Sequence, residues 1–362
     1  MRLTSIVRAL VLAAGAPAVI LTQGLVQIGL AQDGAEGAKP ILVAAKKAVP
    51  KKKVVKPAGP PAKELFGAAR TPAPMAARAI GFYAKGCLAG AKALPIDGPA
   101  WQAMRLSRNR NWGHPDLIAI LEKLAIEARE HDGWPGLLVG DISQPRGGPM
   151  LSGHASHQVG LDADIWFTPM PERRLTARER DEMSAVSMVA ADAASVDPSQ
   201  WTEAHVRVLK RAAAYARVER IFVHPAIKKA VCEAAPKEGD RAWVHKIRAY
   251  WGHHDHFHVR ISCPSGSTNC EHQPSLPADD GCGKELTDWL ARVKPKPQPP
   301  TPPVATAKPA PPKPSLTLDQ LPAECRSVLA SGVEKPVLAA KPSLPPSPTP
   351  SATAAKNPTE TK

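Results

Sequence analysis

Five of the chain's 12 histidines fall in two tight clusters, with His254 loosely beside them, and there the sequence concentrates its chemistry. The first cluster is Gly153-His154-Ala155-Ser156-His157, followed through Gly160 by Asp162 and Asp164. The second is Trp251-Gly252-His253-His254-Asp255-His256-Phe257-His258-Val259. Side chains two apart on a strand share a face, so segment 255–261 sets His256, His258 and Arg260 together, with Phe257, Val259 and Ile261 opposite. Segment 161–167 alternates in the same way: Leu161, Ala163, Ile165 and Phe167 face the core, while Asp162, Asp164 and Trp166 face away. His157 precedes that strand through a turn. If the two strands are neighbours, His157, Asp164 and one of the paired histidines converge.

Two imidazoles and one carboxylate with an open fourth position are the set expected of a hydrolytic zinc. An imidazole-rich site suits zinc better than calcium or magnesium, and thiolate sites are disfavoured because the cysteines read as oxidised. A lone histidine is ordinarily a surface hydrogen-bonding group; five in two clusters on polar strand faces point to a site. Other hydrolytic frameworks score poorly. The chain has no His-Glu-x-x-His helix signature, no Gly-x-Ser-x-Gly elbow and no Ser-x-x-Lys. A thiol nucleophile at Cys87 or Cys325 would leave five cysteines to pair.

The elements that must hold these groups are short and mixed. Asp116, after Pro115, can cap a helix in which Leu117, Ile120, Leu121, Leu124 and Ala128 form one stripe. Segment 136–140 reads as a buried strand. Segment 201–216 reads as an amphipathic helix begun by Asp197-Pro198-Ser199. Residues 220–223 read as a strand, 225–231 and 242–250 as helical. Without a regular βαβ rhythm, this predicts an α+β fold with a small, largely antiparallel sheet flanked by helices.

The chain's ends differ from its middle. Residues 1–63 carry 10 Lys/Arg against 2 Asp/Glu, and 294–362 carry 9 against 4. The middle, 64–293, is nearly balanced, so its surface has no basic excess for tracking nucleic acid. Arg2 and Arg8 precede an apolar run from Ala9 to Leu21, too short to span a membrane, and Gly29-Leu30-Ala31 suits a signal-peptide cut after Ala31. Export to the periplasm is expected, and six cysteines in an exported chain suggest three disulfides. Residues 32–63 read as a Lys/Pro-rich solvated linker, 294–314 as a Pro-rich linker and 332–362 as a disordered tail. Between the last two, segment 315–331 holds an apolar island and Cys325, which makes sense if it staples the tail to a globular domain over 64–293. The basic arms are expected to meet anionic envelope surfaces.

His157, Gly160 and Asp164, with His256-x-His258 much later, resemble the metal signature of lysostaphin-type endopeptidases and D-Ala-D-Ala metallopeptidases. The fuller strings are more specific. Gly86-Cys87-Leu88-Ala89-Gly90-Ala91, Leu94-Pro95-Ile96, Gly113-His114-Pro115-Asp116-Leu117, Gly153-His154-Ala155-Ser156-His157-Gln158 and His256-Phe257-His258-Val259-Arg260 resemble the penicillin-insensitive murein endopeptidase family. That resemblance covers about 80–289 plus Cys325, and leaves both arms out.

It implies a peptidoglycan hydrolase cutting between D-alanine and the meso-diaminopimelate of a neighbouring stem. His157, Asp164 and His258 would be zinc ligands, and His154 a further metal-associated histidine. His256 and His253 would serve catalysis. It also implies the pairs Cys87–Cys325, Cys232–Cys282 and Cys263–Cys270. Where some members carry an Asp and a His three residues apart, this chain has Asp192 and Ser195, so a second metal lacks its partner. The rival readings are a zinc D,D- or L,D-carboxypeptidase, with Arg146 or Arg260 closing the groove, and a wall-binding protein with structural zinc.

Overall fold

The computed structural model describes residues 59–295 and 315–332. The expected signal peptide, most of the Lys-rich linker, the Pro-rich linker from 296 and the tail from 333 lie outside them. Ten strands occur among the described residues: β1 Arg78–Phe82, β2 Lys85–Ala89, β3 Lys92–Ala93, β4 Trp101–Ala103, β5 Trp112–Gly113, β6 Leu137–Val139, β7 Asp162–Trp166, β8 Val218–Val223, β9 Ile247–Ala249 and β10 His256–Ile261. The helices are α1 Ala62–Ala68, α2 Pro115–His131, α3 Ala177–Glu182, α4 Glu203–Ala214, α5 Pro225–Ala234, α6 Ala242–Lys246, α7 Lys284–Val293 and α8 Glu324–Ala330.

Six strands form the central sheet in the order β4-β6-β7-β10-β8-β9. Its middle is antiparallel, β6 to β7 to β10 to β8, while the outermost pairs, β4 with β6 and β8 with β9, run parallel. This is the expected α+β architecture. One face of the sheet buries Ala163, Ile165, Phe257, Val259 and Ile221 against Leu117, Leu121 and Leu124 of α2 and Leu209 of α4. The hairpin of β1 and β2 stands apart from that sheet.

Several local expectations change. Helix α2 is capped by His114, whose Nδ1 accepts from the Asp116 backbone N–H at 3.2 Å, with Pro115 at N1. Its buried stripe uses Ile118, and Ile120 is only half-buried. Helix α4 begins at Glu203, because Asp197 spends its carboxylate on a tight turn with Ser199. Segment 242–250 is helical only to Lys246; Ile247–Ala249 joins the sheet edge beside β8, where Ile247 is fully buried. Such a short stretch follows its tertiary partner more than its own propensity.

The tail segment closes a second, smaller core. Ala62, Phe66, Ile80, Leu321, Cys325 and Val328 are buried together there. The segment expected to be linker up to residue 63 thus already contributes the start of α1, where the Ala62 N–H meets the Leu316 carbonyl at 2.8 Å. Disulfides join Cys87 to Cys325, Cys232 to Cys282 and Cys263 to Cys270, the pairs that the resemblance implied.

Candidate metal centre

Strands β7 and β10 are neighbours, and their register sets His258 directly opposite Asp164, Trp166 opposite His256 and Asp162 opposite Arg260. Cross-strand partners on one face sit close enough for side chains to touch. The polar face that these strands share is covered. Asp162, Asp164, His258 and Arg260 are all buried. Loop 141–158 brings in His154 and His157, and Tyr83 and Phe222 flank Arg260.

His157 adopts a left-handed backbone, φ 67°, just before Gly160 at φ 69°. A non-glycine residue in that region is uncommon and is held only by strong surroundings. Three contacts hold it. Its N–H donates to Asp162 Oδ2 at 3.0 Å, its carbonyl accepts from Ser143 Oγ at 2.6 Å, and its Nδ1 lies 2.7 Å from the Ile142 carbonyl. A carbonyl can only accept, so Nδ1 carries the proton and Nε2 is bare. That bare nitrogen faces Asp164 Oδ1 at 3.4 Å.

His258 is oriented by the same logic. Its Nε2 is 3.0 Å from the Asp162 carboxylate, which leaves Nδ1 bare and 3.2 Å from Asp164 Oδ1. His157 Nε2 and Asp164 Oδ1 are both buried with no hydrogen-bond partner. Unpartnered acceptors facing one another away from water are costly, and a cation between them removes that cost. His154 adds a further donor: its Nδ1 is 3.3 Å from Asp164 Oδ2, while its Nε2 lies 3.0 Å from Asp141 Oδ2. Ligand atoms of His154, His157 and Asp164 all lie within 4.8 Å of one another. The residues fit a metal ion.

Asp162 is the hub beneath these side chains. It is fully buried and accepts from Arg260 Nε at 2.5 Å, as well as from His258 and the His157 backbone. Burial opposes its ionisation, but Arg260 and His258 hold the carboxyl far below the usual range. Asp164 behaves alike, with His157 and His256 outweighing burial. Asp162 therefore lies beneath the cleft, while Trp166, on the same strand face, lines it.

His256 and His253 stand beside His258 and Asp164. His256 Nδ1 is 2.6 Å from Asp255 Oδ1, so its Nε2 is bare, 3.8 Å from Asp164 Oδ1. Burial alone would lower this imidazole's pKa, but Asp164 and Asp255 raise it above the ordinary value. His253, again left-handed at φ 54°, sits 5.0 Å ring to ring from His256 and 5.7 Å from His258. Burial and those two neighbours push it down to about 3. Its Nδ1 is tied to the Trp251 carbonyl.

The six site residues read from sequence thus meet in one place. The two arginines weighed as groove-closing do not join them. Arg260 is buried between Tyr83 and Phe222 and spent on Asp162, while Arg146 holds the carbonyls of Thr71, Val328 and Leu329. Asp192 caps its own exposed turn through Ala194 and Ser195. Sequence reasoning missed Asp255, Asp141 and Ser143. Only Asp255 had a local signal, standing next to His256; Asp141 and Ser143 come from a loop with no pattern.

A family model described as penicillin-insensitive murein endopeptidase matches residues 79–330. A protein of that name from Haemophilus influenzae is 46% identical over 216 residues, covering 60% of this chain and 74% of the relative. One from Klebsiella pneumoniae is 42% identical over 230 residues, covering 63% and 82%. One from Salmonella heidelberg is 42% identical over 235 residues, covering 64% and 84%.

Proposed function

The chain belongs to the penicillin-insensitive murein endopeptidase family and is a metallopeptidase, and on that premise we propose that it cuts D-alanyl–meso-diaminopimelyl cross-links of peptidoglycan with zinc. The observation that carries this reading is the convergence of bare acceptors: His157 Nε2, Asp164 Oδ1 and His258 Nδ1, two of them buried without partners. These three residues would hold the ion, with His154 as an added donor. Zinc bound there would polarise the scissile carbonyl and acidify water.

The remaining work falls to the chain's own side chains. Asp162 and the Ile142 carbonyl fix the two ligand imidazoles in their tautomers. His256, its Nδ1–H held by Asp255, takes the proton of the attacking water at Nε2 and passes it to the departing amine. His253 backs His256 as a neutral ring. Because water is the nucleophile, a β-lactam finds no serine to acylate. Peptidoglycan lies outside the cytoplasmic membrane, which agrees with export by the expected signal peptide and a periplasmic site of action.

Digesting cross-linked muropeptides with and without a chelator tests this. Expected are uncross-linked monomers, unaffected by penicillin, near-stoichiometric zinc by elemental analysis, and loss of both on chelation. Release of free D-alanine alone would favour the carboxypeptidase reading, and full zinc without hydrolysis the structural one.

A further inference from the structure

The cleft over the ligand set, about 250 Å³, is lined by groups of both signs. His154, Asp164, Asp255 and His256 line it, and so do Arg105, beside Trp166, and Arg108, beside Asp141. Arginines elsewhere around this cleft are consumed. Arg110 gives Nη1 to Asp141 and Nη2 to Ser152, and Arg180 holds three carbonyls and Asp97. Arg105 and Arg108 are not. Arg108 spends one Nη1 bond on Asp141 at 2.9 Å, with its side chain 44% exposed. Arg105 gives Nη1 to the Asp181 carbonyl and lies 5.4 Å from the Trp166 ring centroid. Their Nε and Nη2 groups meet no acceptor among the described residues.

The backbone under both is constrained. Arg105 precedes and Arg108 ends the one-turn 3₁₀ segment Leu106–Arg108, whose flanking residues Arg105 and Asn109 are both left-handed, at φ 55° and 51°. Asp181 Oδ1 pins this turn through the N–H and hydroxyl of Ser107 at 3.1 and 2.9 Å, and Asn109 accepts from Trp112 Nε1 at 2.8 Å. Non-glycine residues persist in that region only when their surroundings over-determine them. Here the result is two guanidinium forks aimed at a cleft. Asp141 faces Arg108, Arg110 and His154 at once, so one carboxylate is set against at least two fixed positive charges.

Resting on the proposed cross-link reading, we propose that Arg105 and Arg108 seat the free carboxylate that flanks the scissile amide. In that cross-link the amide nitrogen sits on a carbon bearing a carboxylate, so the substrate carries an anion two bonds from the cut. Asp164 and Asp255 repel it; the two arginines offer the paired N–H groups that a carboxylate accepts from. A terminal D-alanine carries the same carboxylate. The arginines therefore set the requirement for an acid beside the cut, and the space beyond it decides endo- from carboxypeptidase action.

The test compares the full chain, zinc-loaded, on a synthetic D-alanyl–meso-diaminopimelyl peptide and on its analogue amidated at that one carboxylate. Wild type is expected to favour the acid by roughly 10- to 100-fold in kcat/KM, the scale of one or two charge-assisted hydrogen bonds. In Arg108→Met and Arg105→Met the acid-to-amide ratio should fall toward one, mostly through KM, with zinc content and melting midpoint kept. Arg108→Lys should recover part of the ratio. Arg105→Met leaves Asp141 untouched, so it separates carboxylate binding from any disturbance of His154. A wild-type ratio near one, or variants that keep the wild-type ratio, overturns the inference while the cross-link reading stands. A wild type that cuts neither peptide removes that reading and the inference with it.

Discussion

At the scale of single residues, the site depends on which nitrogen of each imidazole is left bare. Asp162 decides this for His258 and also fixes the strained His157 backbone. Asp162→Asn can no longer accept from Arg260, His258 and the His157 N–H together. Zinc affinity should fall about 10- to 100-fold, as when an orienting partner of a ligand is lost. The buried Arg260 guanidinium would be left without its carboxylate, costing about 3–5 kcal/mol of stability. Elemental analysis under metal-buffered conditions and urea unfolding read the two effects separately. His256→Ala should do the opposite: turnover drops about 10²- to 10⁴-fold while zinc is retained. A His256→Ala protein that had lost its zinc would reassign His256 to the ligand set.

Elements raise a different question, because some hold charge where none is expected. Lys228, on α5, is fully buried, with Nζ donating to the Val244 carbonyl at 2.9 Å and the Asp280 carbonyl at 2.7 Å. It ties α5 to α6 and to the loop before α7. Burial first, then Arg248 and Arg241, push the ammonium down to about 7, against Asp280 and Glu285. In the unfolded chain it titrates near 10.4. Between about pH 7 and about pH 10 the unfolded state binds the proton more readily, so stability should rise with pH across that window. Urea midpoints of wild type should climb over this range, and those of Lys228→Met should climb less. Equal slopes would mean that the ammonium stays charged when folded.

For the whole molecule, the chain's far end completes the body. Cys325 joins Cys87 across a separation of 238 residues, and Arg146 is buried with its Nη1 on the carbonyls of Val328 and Leu329. Ending the chain after Gly332 should be tolerated. Ending it at Val293 should cost about 2–5 kcal/mol, the range for losing a native disulfide, and expose one titratable thiol at Cys87. The Lys-rich segment concerns surfaces instead. A variant lacking residues 32–58 should cut soluble muropeptides normally but bind isolated sacculi more weakly at low salt. The difference should fade as the Debye length shortens from about 8 to about 3 Å. Equal binding at low salt would remove the idea that this segment tethers the enzyme.

The local pattern of residues was enough to expect that His157, Asp164 and one of His256 and His258 converge, because period-two alternation groups side chains; His154 and the roles of His253 and His256 came from the family resemblance. It also sufficed for the α+β class and for β6, β7, β8 and β10 of the central sheet. It could not say that the polar faces of β7 and β10 are buried, since what roofs a sheet is decided by loops far away in sequence. That burial makes Asp162 the support beneath His157 and His258, and Arg260 its counter-ion. Nor did local pattern reveal the edge strand at Ile247, the left-handed backbones at His157 and His253, or the arginine turn at 105–108. Each of these is held by contacts many residues away, which only the folded chain supplies.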